Sequence, residues 1–139
     1  MNIKRLAVGG VVGTITLYLL GILFWENLFA GFFDGNSGSA TGVDRENTIV
    51  WAVIVGSLCY AVLLTLALES RSASKTLIDG LKVGVVVGAL LWGTADFIIF
   101  GVTNLSNLTG TIADTVLEGV RGGIAGAVIA VVLDKVGFD

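Results

Sequence analysis

The chain has 139 residues, 55% of them hydrophobic and only 14% charged, with a mean hydropathy of +0.93 and a net charge of −3. A soluble domain carries about 25% charged residues, so this composition describes a single domain whose solvent is lipid. With no His and one Cys, an imidazole metal site, a His-ligated haem and an internal disulfide are excluded, and the absence of a basic run argues against nucleic acid.

Four apolar segments follow one another, at residues 6–33, 48–68, 83–102 and 112–133. Each reaches the roughly 20 residues that span a bilayer as a helix. None alternates as barrel strands do. The expected fold is all-α: an integral membrane four-helix bundle formed by residues 1–139 as one domain.

The first segment follows Lys4 and Arg5, as a signal peptide would. Its apolar run is about twice the usual 7–15 residues and no small-x-small site follows, so a retained first helix is expected. Trp25, Glu26 and Asn27 lie toward its far end. The loop DGNSGSATGVDREN, residues 34–47, is Gly/Ser-rich and acidic and reads as a flexible connector. It opens like a calcium loop at Asp34-x-Asn36, but the Gly and closing Glu are misplaced. The second segment carries Trp51, Tyr60 and Cys59, the last read as a small packing residue. The third carries Trp92 and Asp96, and the fourth Asp114, Glu118 and Arg121. Asn104 and Asn107 fit the glycosylation acceptor pattern, which in a bacterial protein is chance.

Lys and Arg set the orientation. Lys4, Arg5, Arg71, Lys75, Lys82 and Lys135 flank one end of the segments, against Arg45 alone at the other. The positive-inside rule then places both termini in the cytoplasm. A multi-pass protein of a bacterial or archaeal cytoplasmic membrane is expected.

Glycine supplies the helix contacts. Lipid offers no hydrophobic drive between helices, so small residues that let backbones approach must do the work. Gly80, Gly84 and Gly88 line one face of the third segment. Gly9, Gly10 and Gly13 stand in the first, and Gly119, Gly122, Gly123 and Gly126 in the fourth. Such faces also suit a homo-oligomer or a partner in a membrane complex. GILFW at Gly21 and GALLW at Gly88, with Gly13 falling on Gly80 at the same spacing, suggest a tandem helical-hairpin repeat.

Charges at hydrocarbon depth cost roughly 2.5–3.5 kcal/mol each on insertion scales, so they are rare and usually functional. Glu26, Asp96, Asp114, Glu118 and Arg121 all fall in the outer half. Positions 114, 118 and 121 share one helix face, which must look into the bundle. Arg121 can reach Glu118 along its own helix, and Asp96 or Glu26 across it. Trp25, Trp92, Asn27 and Thr94 stand near as stacking or hydrogen-bonding partners. Four carboxylates against one guanidinium favour a bound proton or cation.

Two readings stay open. In one, Glu26, Asp96, Asp114, Glu118, Arg121, Trp25, Trp92 and Asn27 form a pocket that binds or transports a cation, a proton or a small polar ligand. In the other, the charges fix helix register and Trp25 and Trp51 belong to an interfacial belt, in an accessory subunit of a larger complex. Catalysis ranks below both, because no nucleophile sits beside a base. No catalytic residue, metal ligand or cofactor is assigned.

LYLLGILFW in the first segment, and GALLWGTADFIIFGVTNLSNL followed by Asp114, resemble a family of small uncharacterised four-helix bacterial membrane proteins. The family's Gly-aromatic-Gly, Asp and Thr-Asn pattern maps to Gly88, Trp92, Gly93, Asp96, Thr103 and Asn104. The resemblance implies the four-helix fold and brings no activity.

Overall fold

A computed structural model describes residues 2–71 and 76–136. Lys75, one of the charges that orient the chain, lies outside these residues. Helix α1, Ile3–Gly21, runs into a π-helical stretch, Ile22–Leu28, and a short helix α2, Ala30–Gly35. Then come α3, Val50–Glu69, α4, Leu77–Val102, and α5, Leu108–Lys135. Among the described residues, four helices are long and apolar enough to cross a membrane, Ile3–Leu28 counted as one.

The first segment is not one continuous helix. After Gly21 the turn widens, and Phe29 N–H donates to the Phe24 carbonyl at 2.8 Å, a five-residue rather than four-residue step. At Phe29 the backbone leaves helical geometry, with φ −119° and ψ 8°. Apolarity alone could not reveal this, because a π turn and an α turn bury the same side-chain types.

Helix starts follow their caps rather than the hydropathy. Helix α4 opens before residue 83 because Thr76 and Asp79 form a reciprocal capping box. Helix α5 opens before residue 112 because the Asn107 side chain accepts from Gly110 N–H at 2.8 Å. Asn107 is thus a helix cap.

Arg5 meets Glu69 at 3.1 Å, tying the start of α1 to the end of α3. A Cβ on Gly80 would lie 2.6 Å from Ala130 Cβ, which puts the start of α4 beside the end of α5. Both described chain ends therefore sit at one end of the bundle, the terminal end. The segments around residues 36–49 and 103–107 form the opposite, loop end.

Helix α5 is the hub, packed on α4 along its length and on α1 across it. Its contact with α4 is backbone on backbone. A Cβ on Gly84 would lie 2.6 Å from the Gly122 carbonyl carbon and 2.9 Å from Gly123 Cα, with Gly80 similarly set against Gly126. On the other side Gly9 faces Thr65, and Gly13 faces Ala61 and Ile129. These glycine faces are filled from within the chain. Leu17, Leu64, Leu68, Ile129 and Leu133 close the core beside them. Cys59 does not pack inside: it is exposed on α3, on a helix whose apolar side chains, such as Trp51 at 70% exposure, point outward.

The first part of the loop after α2 is not a free connector. Gly38 and Ala40 donate their N–H groups to Leu105 and Asn104 carbonyls at 2.9 and 3.0 Å. Asn107 N–H donates to the Asn36 carbonyl at 3.1 Å. A Gly/Ser-rich segment stays flexible only when its backbone groups have no better partner than water, and here the 103–107 turn supplies partners.

Candidate functional site

Arg121 organises the charged residues. It is 8% exposed, and three of its N–H groups are engaged. Nε and Nη2 donate to the Leu17 carbonyl at 3.0 and 2.7 Å, and Nη1 donates to Glu118 Oε1 at 2.8 Å. A helical carbonyl keeps a second lone pair after its helix bond. Gly21, one turn on, leaves that oxygen uncovered: a Cβ there would stand 3.1 Å from Arg121 Nη2. The guanidinium also lies over the Trp25 ring, 5.4 Å from its centroid, a cation–π contact.

Arg121 reaches neither Asp96 nor Glu26 by ion pair among the described contacts. The wider π turn points Trp25 toward α5 and leaves Glu26 and Asn27 exposed. Asn27 Nδ2 donates to the Ile22 carbonyl at 2.8 Å, supporting its own segment. Thr94 is exposed and bonds the Leu90 carbonyl of its own helix at 2.7 Å. Trp25 takes a role hydropathy could not assign: its Nε1–H donates to Asp114 Oδ1 at 2.6 Å.

Asp96 accepts from Thr115 Oγ1 at 2.9 Å and lines the same space as Asp114. Asp96, Asp114 and Glu118 stand against Arg121 alone, so acidic groups outnumber basic ones in this cluster. Tyr60 donates to the Glu118 backbone carbonyl at 3.3 Å and joins α3 to this level of α5.

Among the described residues, two buried side-chain polar atoms stand unpartnered. Glu118 is 3% exposed, and its Oε2 has no hydrogen-bond partner. Trp92 Nε1, buried at the atom, has none either. A buried polar group without a partner costs about 1–3 kcal/mol, so each such group in a folded protein calls for an explanation. Both residues line a cavity of 430 Å³ whose wall also includes Tyr18, Trp25, Glu26, Asp114 and Arg121. A second cavity, of 680 Å³, lies toward the loop end and is lined by Asp34, Asp44, Asp96 and Asp114, with no described Lys or Arg. Trp25 and Asp114 belong to both walls, so their hydrogen bond stands where the two spaces meet.

Sequence reading found the acids and Arg121. It missed Thr115, Gly21 and the Leu17 carbonyl. Thr115 follows an acid and could have been weighed as a hydroxyl donor, but a backbone oxygen carries no sequence signal. Among the described residues no group of three or more acids or cysteines is set to hold a metal ion. No protein-family model, curated protein or solved structure matches the chain.

Proposed function

We propose that this chain is a small multi-pass membrane protein that binds or moves a small cationic or protonated polar ligand through its acidic cavity. The observation that carries this reading is Glu118: a carboxylate whose buried Oε2 has no hydrogen-bond partner, on a residue that lines a 430 Å³ cavity. The acids on its wall, Glu26, Asp114 and Glu118 against Arg121 alone, favour a cation there, and the acidic 680 Å³ space would draw one in from the loop end. The glycine faces offered for subunit docking are already occupied by helices of the same chain, which leaves the accessory-subunit reading without its main surface.

Purified protein should melt at higher temperature in millimolar ammonium or methylammonium than in the same concentration of sodium. The shift should vanish in Glu118→Gln. Because that variant also disturbs Arg121, Asp114→Asn serves as the second arm. It can still accept from Trp25 and should keep its fold while losing most of the shift. No shift with any cation in the wild type would overturn the reading.

The orientation we propose has the terminal end in the cytoplasm, where Lys4, Arg5, Arg71, Lys82 and Lys135 gather. In a Cys59→Ala background, a cysteine at exposed Ser39 should label from outside intact cells. One at exposed Ser70 should label only after permeabilisation. External labelling at Ser70 would reverse the orientation and the side from which the cavity fills.

A further inference from the structure

The 430 Å³ cavity shares one wall residue, Trp92, with a neighbouring space. This third space is a groove of 260 Å³ between α3 and α4. These two helices touch only lightly. Gly56, Cys59, Leu63, Leu91 and Ala95 line the groove. The Tyr60 hydroxyl, which also belongs to this lining, already donates to the Glu118 carbonyl. Gly56 has nothing within 4 Å of where a Cβ would stand, so the backbone there is bare. Gly56, Cys59 and Leu63 lie at helical spacing, so the groove follows α3 past the level of Glu118.

We propose that cavity and groove form one site for a single-chain amphiphile with an amino-alcohol head, the head beside Glu118 and the chain along α3 and α4. The proposal rests on the ligand reading above and names its ligand class. The head follows from the unpartnered atoms. An ammonium suits the Glu118 carboxylate, whose Oε2 lacks a donor, and a wall where acids outnumber Arg121. A hydroxyl beside it gives Trp92 Nε1–H its missing acceptor. Phosphate and carboxylate heads are disfavoured because Glu26, Asp114 and Glu118 line the same space, and its one cation, Arg121, is already engaged by Glu118 and the Leu17 carbonyl. A hydrocarbon chain suits a groove whose free surface is apolar. The narrow volume admits one chain rather than two.

Three probes separate the parts. N-octyl-2-hydroxyethylammonium carries head and chain, 2-hydroxyethylammonium is the head alone, and octanoate is a chain with an anionic head. Binding is read by titration calorimetry on the whole protein in neutral-lipid nanodiscs, with empty nanodiscs subtracted. The octyl compound should bind at least tenfold more tightly than the head alone, and octanoate should not bind above background. Ala95→Phe, which fills the groove, should bring the octyl compound down to the affinity of the head alone. Trp92→Phe should erase the preference for the hydroxyl over plain octylammonium while the melting temperature stays near wild type. Equal binding of the head with and without its chain would overturn the groove while leaving the cavity reading in place. Failure of both ammonium probes to bind would overturn both. Octanoate binding as well as the octyl ammonium would mean that the chain alone partitions, and would overturn the assignment of the head.

Discussion

Replacing Arg121 with Ala should destabilise the folded protein by about 3–5 kcal/mol, the cost of breaking a buried pair by removing one partner. Glu118, 3% exposed, would lose the donor to Oε1 while Oε2 already has none. The Leu17 carbonyl would lose two bonds, and α1 would lose its polar tie to α5. Arg121→Lys should recover only part of this. An ammonium keeps the charge but lacks the planar fork that serves a carbonyl and a carboxylate at once. Glu118→Gln in the Arg121→Ala background should also recover part, because a neutral amide needs no counter-charge. The check is unfolding in mixed micelles, followed by circular dichroism. A loss below about 1 kcal/mol, the range of an exposed pair, would mean that the guanidinium is hydrated and the buried cluster is not held as described.

Gly84→Leu should cost more than about 3 kcal/mol, the upper end for overpacked sites. The new Cβ would stand 2.6 Å from the Gly122 carbonyl carbon, and backbone cannot rotate away as a side chain can. Helices α4 and α5 must separate, which would also part Asp96 from Thr115 and Asp114. The variant should therefore lose ligand-induced stabilisation together with stability. Val86→Leu is the control, since Val86 is 56% exposed. Val85 is unsuited, because its side chain leans over Gly123. Equal melting of Gly84→Leu and Val86→Leu would show that the glycine seam is not closed.

Much of the candidate site was legible from residue type alone. Glu26, Asp96, Asp114, Glu118 and Arg121 stood out because ionisable groups are scarce in apolar helices. The helical spacing of 114, 118 and 121 put three of them on one face. The pairing of Arg121 with Glu118 followed from that spacing. The pairing with the Leu17 carbonyl did not. It depends on how far α1 approaches α5, and Gly21 controls that approach. Glu26 looked equivalent to Asp96, yet one faces out and the other bonds Thr115. The π turn after Gly21 shifts the register between α1 and the residues beyond it, so depth along the chain stopped predicting direction.

By itself the sequence determined that this is a chain of four long apolar helices, that its charges cluster toward one end, and that glycine faces mediate the contacts. Hydropathy, charge and side-chain size are properties of each residue and sum along a helix, so they can be read without knowing the neighbours. The tertiary structure alone decided which face met which: the closure of Gly80, Gly84 and Gly88 on α5, the pinning of residues 36–40 to the 103–107 turn, and the bond from Thr115 to Asp96. It also left Glu118 Oε2 without a donor. Each of these depends on distances of a few ångströms between residues far apart in sequence. Hydrogen bonds and backbone contacts change sign over such distances, which no local periodicity encodes.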